Sequence, residues 1–158
     1  VAQAQEASRW DRGNFTLLLN LGVGFQRDPL VDQTERGLAG INLGIGGFLA
    51  DDLALMFRWS GTAGVDQGPY EQTSAAYAPT IQYWVDDRLS LEAGAGLGLR
   101  SVDNTDIIES GLGLMLGAGY TLFGGGKHAF RLGIEYAAAF TEPTWVHNVG
   151  FVLGWQLL

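Results

Sequence analysis

Cysteine is absent from the 158-residue chain. A disulfide framework and a thiolate metal site are therefore both excluded. Proline is scarce at 4 residues while glycine reaches 24, so neither a collagen-like repeat nor a Pro-rich disordered chain fits. Charged residues make up only 16%, against about a quarter in soluble domains. Hydrophobic residues make up 47%. Within the small charged set acids dominate, and the net charge of −8 argues against a nucleic-acid partner, whose phosphates would repel the chain. Also missing is any stretch of transmembrane-helix character. The longest uncharged run, 110–126, is interrupted by glycine at alternate positions. Leu112-Gly113-Leu114-Met115-Leu116-Gly117-Ala118-Gly119 is a poor helix and a good strand with one small face. No signal peptide is visible, and residues 1–5 are expected to be either the mature end that cleavage of one leaves or the tail of the cleavage region itself.

What the chain has instead is alternation. The C-terminal stretch 145–158 places Trp145, Val149, Phe151, Leu153, Trp155 and Leu157 on one side, with His147 as the polar member. Val146, Asn148, Gly150, Val152, Gly154 and Gln156 fall on the other. Period two is the signature of a strand. The same pattern recurs at about 14–27, 37–50, 53–61, 74–85, 89–101, 109–122 and 129–140. Pro79 interrupts the fourth of these; it marks a bulge, or the strand starts after it. The connections also alternate. Asp51-Asp52, Asp86-Asp87 and the glycine turn at 123–128 are short, whereas 28–36, 62–73 and 102–108 are longer and polar. The fourth loop, 141–144, is an exception to that asymmetry. Strands of this length suit a tilted membrane crossing, which needs about 9–11 residues.

The face opposite the apolar one separates a membrane barrel from a soluble one. A soluble barrel needs water-facing charges along every strand. Here the second face is Gly, Ala, Ser, Asn and Thr with few charges, which suits a narrow packed lumen. The expectation is an all-β fold, an eight-stranded antiparallel up-and-down transmembrane β-barrel over 14–158, with 1–13 as an N-terminal periplasmic segment. Phe15, Tyr83, Tyr120, Phe130 and Trp155 fall near the turn ends of their strands, and Phe25, Trp59, Phe140 and Trp145 near the loop ends. Two aromatic belts about an aliphatic band are what two membrane interfaces require, although aromatic β-propensity alone favours such residues in strands. Arg58, Glu92, Arg100, Arg131 and Glu135 are expected inside, because an arginine facing lipid near the midplane costs about 2–4 kcal/mol. Buried charges must pair. Glu92 and Glu135 are expected to pair with Arg58 and Arg131, with Arg100 nearer the outer mouth. Such a network reads first as a polar plug and second as a gate or proton path.

Other motifs carry less. Gly94-Ala95-Gly96-Leu97-Gly98 sits inside a strand with no helix after it, so it is no phosphate loop. His128 and His147 map to opposite ends and cannot share a metal; no metal and no cofactor are expected. His147 with Glu142 or Ser101 is the one arrangement that suggests surface-lipid chemistry, and an interfacial histidine is the simpler account. The loop acids Asp28, Asp32, Glu35, Asp66, Glu71, Asp103, Asp106 and Glu142 suit divalent cations bridging lipopolysaccharide phosphates, or simply a solvated surface.

Alternation, strand number and the final strand together resemble small outer-membrane β-barrels of the OmpA transmembrane-domain, OmpX and OmpW kind. The resemblance covers the chain after Gly13. Its most specific piece is Asn148, Gly150, Leu153 and Trp155, which looks like the C-terminal signal read by the barrel-assembly machinery, although the chain continues Gln156-Leu157-Leu158 past the aromatic. The last strand is expected to close against the first, with no peptidoglycan-binding domain after it. The resemblance implies residence in a bacterial outer membrane, with its lipid and lipopolysaccharide, the assembly machinery and other envelope proteins as partners. It implies no enzyme activity and a structural or interaction role, alone or as a subunit of a larger complex. A narrow conduit or binding barrel for small apolar molecules, as in OmpW-like barrels, is the alternative. An outer-leaflet lipid-modifying enzyme is the third reading.

Overall fold

The computed structural model describes residues 12–28, 33–64, 72–102, 108–142 and 144–158. Eight strands follow one another: β1 (Thr16–Asp28), β2 (Gln33–Ala50), β3 (Leu53–Gly64), β4 (Gln72–Trp84), β5 (Leu89–Val102), β6 (Ile108–Gly125), β7 (His128–Thr141) and β8 (Thr144–Leu157). Each pairs antiparallel with its chain neighbours, and β1 also pairs with β8, so the sheet is a closed up-and-down barrel. Closure removes both edges, which otherwise would present rows of unpaired N–H and C=O groups.

Period-two residues become inside and outside. On β7, Ala129, Arg131, Glu135 and Ala137 are buried while Phe130, Leu132 and Ile134 are exposed. The exposed side is the exterior, and it is apolar all round. Leu21, Val23 and Leu153 are 58%, 62% and 63% exposed on neighbouring strands, in a belt far larger than the few hundred Å² a soluble monomer leaves bare.

In three places the fold departs from the sequence pattern. The strands at the loop end run further than periodicity suggests. β2 begins at Gln33 rather than 37, β3 continues to Gly64 and β4 starts at Gln72. Backbone pairing continues there after the apolar face has run out, so alternation no longer marks it. Second, β2 is not one uninterrupted alternation. A bulge lies where Asn20 pairs with Asn42 but Gly22 pairs with Ala39, and it changes the phase. Below it the even residues Asn42 and Gly44 are buried; above it Gly37 is buried and Arg36 exposed. Leu43 and Ile45 are exposed on the outer wall, whereas the side chains of Ala39 and Ile41 lie outside the described set.

Third, β4 runs straight through Pro79, which pairs with Phe57 of β3. The ladder to β5 lapses at Ala78 and Pro79 and resumes at Thr80 opposite Gly94. One missing donor toward β5 accounts for that lapse, because the flanking register is unchanged across it.

The β4–β5 turn is held by Asp86, whose Oδ1 accepts the backbone N–H groups of Arg88 at 2.6 Å and Leu89 at 2.7 Å. The Leu89 and Arg88 N–H groups lower the Asp86 carboxyl below its usual range. A depressed carboxylate contributes stability above its unfolded-state pKa and loses it as pH falls through the folded-state value. Asp86→Ala is accordingly expected to lower the thermal midpoint slightly at neutral pH, and the difference from the parent should vanish in acid, as a pH series of melting curves would show.

Candidate functional site

The lumen is where the chain concentrates its polar chemistry. Arg58, from the middle of β3, projects between two carboxylates on β5 and β7. Its Nη1 donates to Glu92 Oε2 and its Nη2 to Glu135 Oε1, the latter at 2.6 Å. Glu92 Oε1 accepts from Arg131 Nη2 at 2.9 Å and from the Gln82 amide at 2.9 Å. The carboxylate of Glu135 also receives the side-chain amides of Asn20 and Asn42. Arg131 in turn donates to Gln156 Oε1 at 2.6 Å and to Ser90 Oγ at 2.5 Å. All four ionised groups are buried.

Two guanidinium groups face two carboxylates, so the cluster is formally neutral. Burying ions is costly, and mutual attraction repays it only when hydrogen bonds satisfy the remaining donors and acceptors. Asparagine and glutamine amides do that here. Glycines opposite the long side chains make the room: a Cβ on Gly119 would lie 1.9 Å from Arg131 Nη2, and one on Gly154 2.0 Å from Asn20 Oδ1. The abundance of inward glycine is thus the space in which the network sits.

Little open volume is left. A cavity of about 10 Å³ adjoins Asn20, Glu92, Arg131 and Glu135, and another of about 10 Å³ lies beside Asn42, Thr62, Glu135 and Asn148. Each suits about one water molecule. At the turn end the lumen is capped by Trp84, Ala129 and Leu158, with Phe48 against them. The guanidinium of Arg12 lies 4.8 Å from the Trp84 ring centroid, and that of Arg131 lies 5.5 Å from it. Arg12 also donates to the carbonyl of Asp51, and partial burial lowers its pKa against the opposing pull of Asp87, Asp51 and Asp52. Hence the segment before β1 touches the barrel mouth at Arg12.

Arg100 stands apart from the central cluster. It pairs with Glu109 at 2.9 Å across the β5–β6 register, and Thr141 Oγ1 donates to the same carboxylate at 3.2 Å. Glu109 is therefore a further inner-face charge, beyond the five that sequence reasoning singled out. Trp84 was also passed over. The signal for both was available: each has inward parity on its strand, and a tryptophan among Gln82, Thr80 and Ala78 is conspicuous on a face of small polar residues.

Of the belt residues, Phe15, Tyr83, Tyr120 and Phe130 are exposed toward the turn end, with Trp155 half-buried against His128 at 5.7 Å. Phe15 itself precedes β1. Phe25, Trp59 and Trp145 are exposed toward the loop end, and Phe140 stacks on Trp145 at 6.1 Å. On β8, Asn148 and Gly150 face inward and are buried, Leu153 is exposed, and Trp155 faces outward. His147 shares a 2.5 Å hydrogen bond with Tyr136 through Nδ1 and meets the Trp145 ring. Ser101 is on β5, three strands away around the wall, so it is not brought to His147. Among the described residues no group of three or more His, Cys, Asp or Glu side chains is arranged to hold a metal ion. Of the candidate cation-binding loop acids, Asp32, Asp66, Glu71, Asp103 and Asp106 lie outside the described residues.

No protein-family model and no curated protein sequence matches the chain. Solved structures do. The chain is similar to Neisserial surface protein A, at 14% identity over 92% of this chain and 97% of that one, with a TM-score of 0.68. It is similar to Ail, the attachment invasion locus protein of Yersinia pestis, at 12% identity over 92% and 99%, with a TM-score of 0.62. It is also similar to the outer membrane protein OprG from Pseudomonas aeruginosa, at 11% identity over 96% and 99%, with a TM-score of 0.53. At such identities the likeness is one of fold: the chain has the eight-stranded antiparallel barrel fold found among small bacterial outer-membrane proteins.

Proposed function

We propose that the protein spans a bacterial outer membrane as a plugged, non-enzymatic barrel with a structural or interaction role, alone or within a larger envelope complex. The observation that carries this is the combination of an apolar exterior with a lumen filled by Arg58, Glu92, Arg131 and Glu135. Hydrocarbon requires a closed ladder and an apolar wall, and both are present. Water or an apolar solute passing through the centre would have to displace ion pairs and the Trp84 cap. That argues against the conduit for small apolar molecules. It argues equally against chemistry in the lumen, where each carboxylate already has its cations and amide donors.

The aromatic residues at the two ends fit headgroup-level anchoring, with lipopolysaccharide outside and phospholipid inside. Asn148, Gly150, Leu153 and Trp155 would serve the assembly machinery before closure, since in the finished barrel β8 is paired on both sides by β7 and β1. The test is reconstitution into planar bilayers. Insertion with no resolved conductance steps is the expected result, and a stable open channel in the parent protein would replace the plug with the conduit.

A further inference from the structure

The exterior wall is not uniformly filled. Between β5, β6, β7 and β8, near the turn end, lies an apolar groove of about 320 Å³. Its walls are Leu89, Tyr120, Leu132, Ile134 and Phe151, and Ala118 is its outward floor. The depression has a simple origin. Ala118, the small residue between outward Leu116 and Tyr120, faces Leu91 on β5 and Ile134 on β7, so the outer wall dips at its position. A volume of this size falls within the usual range of small-molecule sites.

The groove is not only apolar. Arg88, in the turn just before Leu89, donates from Nη1 to the hydroxyl of Tyr120 at 3.2 Å. Its backbone is fixed as well, because the Arg88 carbonyl accepts the Thr121 N–H at 2.8 Å and Asp86 takes the Arg88 N–H. A cation is thereby held at the mouth of the groove, on the residue that forms one wall of it. Beside it Asp86 and Asp87 are exposed carboxylates.

The geometry points to a binding site for one phospholipid with a zwitterionic phosphoethanolamine headgroup: an acyl chain in the groove over Ala118, the phosphate on Arg88, and the ammonium toward Asp86 and Asp87. The inference rests on the membrane reading above and goes beyond it, since a lipid-facing wall requires only exchanging solvent lipid. The order of charges selects the headgroup. An arginine alone would suit any phosphodiester, but two acids next to it disfavour a headgroup with net negative charge and favour one carrying its own cation. A guanidinium–phosphate contact is charge-assisted and stronger than a neutral hydrogen bond.

The full chain, refolded in detergent, would be titrated with phosphatidylethanolamine and with phosphatidylglycerol of the same acyl chains, and bound lipid counted by native mass spectrometry. One phosphatidylethanolamine per barrel is expected, held about tenfold more tightly than phosphatidylglycerol. Arg88→Ala should weaken phosphatidylethanolamine about tenfold. Ala118→Phe, which fills the groove from outside, should abolish the one-to-one adduct for both lipids. Heat-modifiable mobility on gels confirms that each variant is folded. Equal retention of both lipids, or retention unaffected by either variant, overturns the proposal while leaving the membrane reading intact. A protein that remains folded and monodisperse without any detergent overturns both.

Discussion

Glu92→Ala is expected to cost the barrel about 3–5 kcal/mol of unfolding free energy, the usual penalty for removing one partner of a buried ion pair. Glu92 answers both Arg58 and Arg131, and the Gln82 amide as well. Without it, among the described residues, Arg131 is left with Gln156, Ser90 and the Trp84 ring and Arg58 with Glu135, so net positive charge is left in a space that water scarcely enters. Urea titration of the reconstituted protein, followed by tryptophan fluorescence, gives the difference directly. Glu92→Gln is the informative companion. It preserves the shape and the Gln82 contact but not the charge, so its loss should be intermediate. Planar-bilayer recordings of the same variants divide plug from gate. Unchanged stability with new ion conductance would mean that the ion pairs serve a gate rather than hold the barrel.

Gly22→Ala should impair the barrel where it closes. A Cβ at this position would lie 1.9 Å from the carbonyl oxygen of Phe151 and 2.7 Å from Val152 Cα, both backbone atoms of β8. A flexible side chain could move aside; a paired strand cannot without opening the β1–β8 seam. Overpacking a well-filled site costs about 1–3 kcal/mol, and a backbone obstacle puts this case at the upper end. The folded yield after dilution from urea, read as the heat-modifiable gel band, should fall sharply. Gly125→Ala is the control, because nothing lies within 4 Å of the added carbon there and its yield should match the parent. Equal yields from the two variants would mean that the seam tolerates a side chain at 22.

These two sites differ in how readable they were beforehand. The inward position of Arg58, Glu92, Arg131 and Glu135 follows from counting alternate residues along single strands. The close approach at Gly22 does not, because the atoms it meets belong to the backbone of β8, at the other end of the chain. For Arg100 the inward parity and the place nearer the outer mouth were readable, but its partner was not, since Glu109 meets it only through the β5–β6 register. Pro79 shows the reverse. Local chemistry argued for a bulge or a late strand start, but a closed sheet holds β4 from both sides and tolerates one lost donor.

The sequence by itself determined that the chain makes eight strands, that each has an apolar and a small polar face, and that Arg58, Glu92, Arg131 and Glu135 share the latter. Side-chain direction in a strand is a local consequence of the pleat, so it is written in every second residue. Only the tertiary structure decided which carboxylate meets which guanidinium, that Arg58 serves two acids, that Arg12 and Arg131 both approach Trp84, and that a groove opens beside Arg88. Those outcomes depend on the stagger of strands around the barrel and on the reach of long side chains across it. Distance along the chain carries neither: Arg58 and Glu135 are 77 residues apart in sequence and hydrogen-bonded in the lumen.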